Sequence, residues 1–210
     1  MLAFDQNPPS PLRRSSAKHR AILDAAAALV GERGYPLVTI EMVAARAEVG
    51  KQTIYRWWPS KPMLFVEVYD GLVSRALLDV DTGTVAGDLI LLLTRLFARF
   101  REGPAAAILA GLIAAAQGDP ATAAAIDAGL VVGRRDLLLG PLGRGIARGE
   151  LPPKFDCGLA SEVVVALVWR EVLLRGRGLD AGYAATIADC ALKSGAPSAG
   201  AWQGPAPTKG

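Results

Sequence analysis

Four long hydrogen-bond donors crowd one short run of the chain, KQTIYRW: Lys51, Gln52, Tyr55 and Arg56. At helical spacing Lys51 and Tyr55 form one i,i+4 row, and Gln52 and Arg56 form another. The run holds no acidic residue to pair with them. Ile54 and Trp58, also four apart, give the same segment an apolar side. A helix of this kind anchors on one side and offers donors on the other. Lys and Arg donate to guanine edges, Gln pairs with adenine, and the major groove of DNA admits a single helix. The chemistry implied is recognition of double-stranded DNA rather than reaction. Nearby residues suit phosphates: the Thr39 hydroxyl, the Tyr55 hydroxyl, and Lys61 beside a helix start whose free N–H groups attract anions. Trp57 joins this DNA-facing set, although its ring equally suits packing between helices.

The elements that must position these donors are legible in the punctuation. A helix over 17–32 places Ile22, Ala26, Leu29 and Val30 on one face, and Gly34 ends it. A second helix starts after Thr39, a good N-cap, and runs to about Ala47. Its stripe is Ile40, Val43, Ala44 and Ala47, and Glu41 sits in the first turn, where negative charge suits the helix dipole. Glu48-Val49-Gly50 makes the turn, with Val49 as an apolar plug. The third helix, 51–57, is stopped by Pro59, and a fourth follows Ser60 to about Leu78. Together Ile40 to Trp58 read as a helix-turn-helix.

The rest of the chain supports an all-α fold of about nine helices. Apolar residues make up 51% of it and charged residues 20%. Helical periodicity predicts helices near 85–101 and 104–118, then a helical region over 120–149 broken near Gly133 or at Gly140-Pro141. After the stop at Pro152-Pro153 come helices near 157–175 and 179–193. No segment alternates at period two, so no sheet is expected. The predicted organisation is a disordered basic arm over 1–16, ending in Arg13-Arg14, whose side chains suit solvent or a minor groove. A DNA-binding domain over 17–62, a larger domain over 63–193 and a disordered tail over 194–210 follow. Up to Lys61, 9 Lys and Arg face 5 Asp and Glu; beyond it the count is 14 against 15. That asymmetry places a polyanion partner at the amino-terminal end. Cys157 and Cys190 stand far from metal-ligand spacing and read as buried, reduced thiols. With one histidine, His19, neither a His-based metal site nor a His triad is expected, and no cofactor is implied. The start MLAFDQNPPS lacks the pattern of a secretory signal. The longest apolar runs, 104–116 and 163–169, fall short of the ~20 residues that cross a bilayer. A cytoplasmic chain with no membrane partner is the expectation.

The stretch TIEMVAARAEVGKQTIYRWWPSK resembles the TetR (tetracycline-repressor-like) family of bacterial regulators, through Thr39, Val43, Ala44, Ala47, Val49, Thr53, Ile54, Tyr55, Ser60 and Lys61. The resemblance adds Thr53 to the DNA-facing set. ARGEL at 147–151, before a final helix pair, is similar to members of the same family. Three features depart from its pattern. Glu48 stands where Gly makes the turn, Gly50 replaces the Ser cap, and Trp57-Trp58 replace a His or Tyr followed by Phe. A non-glycine residue forced to positive φ at position 48 would cost about 1 kcal/mol.

The resemblance implies that the larger domain dimerises and senses a small molecule. Independently, the last two helices carry more apolar circumference than a monomer surface needs. Leu159, Val163, Val164, Leu167 and Val168, with Tyr183, Ile187, Ala188 and Leu192, are expected at a homodimer interface. Phe97, Phe100, Leu109, Leu112, Ile113 and Trp169 are expected to line an apolar effector cavity. The reading is a repressor that binds a palindromic operator as a dimer and is released by an effector. The rivals are a nucleoid-type DNA binder without a ligand and, less favoured, a helical enzyme. Asp119, Asp127, Asp136, Glu162 and Glu171 are scattered, with Glu162 and Glu171 expected on helix surfaces.

Overall fold

The computed structural model describes residues 11–74, 80–128, 133–174 and 178–197, with the backbone alone at 11–15 and 133–136. Every regular element among these residues is helical. The order is α1 (Pro11–Arg33), a 3-10 turn η1 (Tyr35–Leu37), α2 (Ile40–Arg46), α3 (Lys51–Trp57), α4 (Lys61–Ser74) and α5 (Val85–Glu102). Then come α6 (Ala105–Ala116), α7 (Pro120–Ile126), α8 (Gly133–Ala147), α9 (Cys157–Leu174) and α10 (Ala181–Ser194).

Three boundaries differ from expectation. Helix α1 begins at Pro11, so the arm expected over 1–16 is helical from that residue. Proline fits a first turn because its φ is already helical and its missing N–H has no partner there anyway. Residues 1–10 and the side chains of Arg13 and Arg14 lie outside the described residues. Second, Gly140-Pro141 does not break α8. Gly140 has no Cβ to meet the proline ring, and Leu138 and Leu142 on one side of the helix are both buried. Third, the tail expected to be disordered from Ser194 is ordered at its start. Gly195 accepts a hydrogen bond from Asp156 N at 2.8 Å, and its Cα lies so close to Phe155 that a Cβ would sit 2.3 Å from that ring.

The small domain closes around Ile22, Ala26, Leu29 and Val30 of α1, Val43 of α2, Ile54 of α3 and Leu64 and Phe65 of α4, all buried. In the larger domain α9 packs on α10 and α8, and α10 also packs on α5. Helices α4 and α6 join the two parts, and α6 also meets η1. That contact is close because Gly111 of α6 leaves a notch for the Tyr35 ring; a Cβ there would stand 2.1 Å from the ring.

Two buried carboxylates hold turns. Asp88 is fully buried in the first turn of α5. It accepts from Thr82 N at 2.6 Å, Thr82 Oγ1 at 2.8 Å and Arg144 Nη2 at 3.0 Å. Burial alone would raise its pKa, but these bonds and the Arg144 charge hold it below the ordinary carboxylate value. Glu171, expected on a helix surface, is buried instead and accepts from Gly178 N at 2.9 Å. The bond satisfies a backbone donor just past α9. Cys157 is half-buried and Cys190 is exposed, so the expectation of two buried thiols fails for Cys190, on the outer face of α10.

Candidate nucleic-acid interface

The side of α3 that faces inward is fixed by Ile54 and Trp58, both in the core. What remains outward is the donor set: Lys51, Gln52, Tyr55 and Arg56 are all exposed, Tyr55 by 48%. Thr53 is half-buried at the edge of this face. The turn that aims the helix is strained at one residue. Glu48 has φ 52°, the positive-φ non-glycine residue among those described. Val49 donates to Ala44 O at 3.0 Å and packs on the core, the plug the sequence implies. Gly50 caps α3 without a side-chain hydrogen bond.

Two of these donors, Lys51 and Arg56, and the nearby Lys61 are engaged with their own chain. Lys51 Nζ lies 3.0 Å from Glu41 Oε1, an exposed ion pair. The Glu41 amide, Lys51 and Thr39 together hold the Glu41 carboxyl below its ordinary pKa. The Arg56 guanidinium stands over the Trp57 ring, 5.6 Å from its centroid. Lys61 Nζ donates to Tyr35 O at 2.7 Å and lies 4.2 Å from the centre of the Tyr35 ring. Burial lowers the Lys61 pKa. Lys61 was expected as a phosphate anchor. In this structure its ammonium ties the start of α4 to η1. Thr39 Oγ1 accepts from Met42 N at 3.3 Å as the N-cap of α2, and its hydroxyl also meets the Glu41 carboxyl.

The aromatic pair that departs from the family pattern is packed. Trp57 is half-buried, with its ring 5.3 Å from His19 and 5.5 Å from Trp58. Glu67 joins the cluster: it accepts from Trp58 Nε1 at 2.7 Å and lies 3.0 Å from His19 Nε2. Helices α1, α3 and α4 therefore meet at one polar-aromatic knot. The sequence reading gave His19 and Glu67 no place at this site, because their separation along the chain gives no periodic signal.

The larger domain holds an apolar cleft of about 410 Å³, counting the open space at its mouth. Tyr69 of α4, Leu92 and Phe100 of α5, Leu138 of α8, and Val168 and Trp169 of α9 contribute to its wall. Of the six residues expected there, Phe100 and Trp169 line it. Phe97, Leu109 and Leu112 are wholly buried elsewhere in the core, and Ile113 packs against that core. The reason is topological: α6 packs on α4 and α7, so the gap opens beside α8 instead.

The expected dimer set also divides. Val164, Val168, Ile187 and Ala188 are buried inside their own chain, where α5, α9 and α10 meet. Tyr183 is half-buried and stacks on Phe97 at 6.2 Å. Leu167 and Leu192 are half-buried and pack on the core, and Val163 is half-buried. Leu159 is exposed. The outward faces are Leu159, Ala166 and Arg170 of α9, with Ala185, Thr186 and Asp189 of α10.

Comparison with known proteins agrees with this arrangement. Residues 22–68 match the family profile described as bacterial regulatory proteins, tetR family. Residues 79–191 match the tetracyclin repressor-like, C-terminal domain. The HTH-type transcriptional regulator YdeS of Bacillus subtilis is 30% identical over 180 residues, 86% of this chain and 90% of YdeS. The crystal structure of the TetR family transcription regulator SCO0332 superposes with a TM-score of 0.74 at 28% identity, over 86% of this chain and 99% of that one. The Bacillus subtilis regulator FadR, solved with stearoyl-CoA, shares the fold with a TM-score of 0.65 at 20% identity, over 84% of this chain and 98% of its own.

Proposed function

This chain belongs to the tetR family of bacterial transcriptional regulators, and we propose that it is a cytoplasmic repressor, released from a palindromic operator by a small molecule. The observation that carries this reading is the two-sided character of α3. Ile54 and Trp58 lock one side into the core, and Lys51, Gln52, Tyr55 and Arg56 are left outward. Gln52 has no hydrogen-bond partner among the described residues and is free to meet a base edge. Lys51 reaches a base or phosphate by leaving Glu41, an exposed pair worth about 0–1 kcal/mol. Thr39 and Tyr55 flank the groove and hold phosphates.

The operator-binding form is a homodimer. The outward faces of α9 and α10 support it, because Ala166 and Ala185 allow close approach and Leu159 is an exposed large apolar residue. Two copies of α3 then meet successive major grooves about 34–36 Å apart. The apolar cleft is the effector site. Its wall includes Tyr69 of α4, the helix that also carries Lys61 and Glu67 toward the small domain. That FadR was solved with stearoyl-CoA supports a ligand in this fold. Selecting bound fragments from the genomic DNA of the source organism tests the reading. A palindromic consensus protected in two half-sites is expected; binding spread evenly over unrelated DNA would favour a nucleoid-type protein instead.

A further inference from the structure

Trp58 stands where the family pattern has Phe, and the change brings a polar atom into the core. A phenylalanine ring needs no partner there, whereas a buried indole N–H left without an acceptor costs free energy. Trp58 is only 4% exposed. Its indole N–H donates to Glu67 Oε2 at 2.7 Å, a bond to a charged acceptor. Its backbone N–H donates to Ile54 O at 2.9 Å, so the same residue closes the last turn of α3. The other Glu67 oxygen faces α1: Oε1 lies 3.0 Å from His19 Nε2. Arg20, which borders the same gap between α1 and α4, is paired with Asp24 at 3.4 Å. One carboxylate on α4 thus ties the end of α3 to both α4 and α1.

The tie supplies what packing does not. Among its neighbouring helices, α3 packs most closely on α2. Its inward face rests on Ile54 and Trp58. Apolar packing is non-directional, whereas a hydrogen bond holds its partners to a narrow range of angles. The bond to Glu67 fixes the plane of the Trp58 indole, and with it the tilt of α3. Side chains that recognise a partner must be held to within about 0.5 Å, and Lys51, Gln52, Tyr55 and Arg56 all ride on this helix. Resting on the reading of α3 as the helix that enters DNA, we propose that Glu67 is a positioning residue for operator recognition, acting through the Trp58 indole to fix α3 against α4 and α1.

The test uses the full-length protein, a duplex selected from genomic DNA and a scrambled duplex of equal length. Glu67→Leu removes the acceptor at similar bulk, and Trp58→Phe removes the donor but keeps an aromatic ring. Each should lower affinity for the selected duplex about tenfold, with little change on the scrambled one. The double variant should lose no more than either single one, because all three lack the same bond. Glu67→Gln should hold affinity within about threefold of wild type, since its amide offers the indole an acceptor and His19 a donor. The Trp58 indole N–H resonance, identified by its loss in Trp58→Phe, should move in Glu67→Leu and stay near its wild-type position in Glu67→Gln. A purely structural role predicts equal losses on both duplexes that follow the melting temperature. That pattern overturns the proposal, as do additive losses, no rescue by Glu67→Gln, or wild-type affinity in Glu67→Leu and Trp58→Phe. Should Glu67→Leu fail to fold, Trp58→Phe and Glu67→Gln decide. If wild type itself binds the selected and scrambled duplexes alike, the reading of α3 fails and the proposal fails with it.

Discussion

Gln52 stands to gain most from DNA, because it is exposed and has no hydrogen-bond partner to leave among the described residues. Gln52→Ala should cost about 1–3 kcal/mol on the operator and relax preference at one position. Lys51→Ala should cost less, since Lys51 gives up Glu41 before it contacts DNA. Both outcomes are read from fluorescence anisotropy with duplexes substituted base by base. Glu48 makes a separate prediction. Its φ of 52° is disfavoured for any side chain with a Cβ. Glu48→Gly should raise stability by about 1 kcal/mol, offset in part by glycine's greater freedom when unfolded. The shift in urea midpoint measures it. The strain at this position was legible through the family resemblance, because Glu48 stands where that pattern has glycine. The fate of Lys61 was not. Its carbonyl partner is 26 residues away in η1, and no local pattern reports such a contact. Lys61→Ala should accordingly lower the melting temperature as well as DNA affinity; an anchor that touched phosphate alone would leave folding unchanged.

Helix boundaries followed the punctuation closely where the residues act locally. Thr39, Pro59, Thr84 and Pro104 each stand at or beside a helix start or end. Which helix packs on which was less legible, because that depends on contacts between distant segments. The displacement of the cleft from α6 to α8 and the burial of Val164 and Ile187 are both of this kind. Helix α9 is apolar around much of its circumference, so periodicity alone did not separate its core side from its outer side. The two sides now predict opposite results. Leu159→Asp should yield a folded monomer by analytical ultracentrifugation, whereas Val164→Asp should unfold the chain by burying an unpaired charge. A folded Val164→Asp monomer would restore the earlier assignment of that residue to the interface. The seat between η1 and α6 carries a third expectation at this scale. Gly111→Ala drives a methyl into the Tyr35 ring and should destabilise by about 1–3 kcal/mol, the range for overpacking.

For the whole molecule, the small domain and the domain with the cleft meet where α6 packs on α4, α1 and η1. In the larger domain Asp88 ties the start of α5 to α8 through Arg144, and its folded pKa lies below its ordinary 3.8. A depressed carboxylate contributes stability that is complete above the unfolded pKa and is lost as pH falls through the folded one. The stability gap between wild type and Asp88→Asn should therefore be full at neutral pH and shrink below about pH 3.8, as followed by chemical denaturation across that range. The central claim is that α3 reads bases while its neighbours hold phosphate. Affinity for operator and scrambled duplexes, measured at several salt concentrations for wild type and Gln52→Ala, tests it most directly. The account predicts a loss of about 10- to 100-fold confined to the operator, with the salt slope unchanged. Equal losses on both duplexes, or no loss from Gln52→Ala, Lys51→Ala and Arg56→Ala alike, would contradict it.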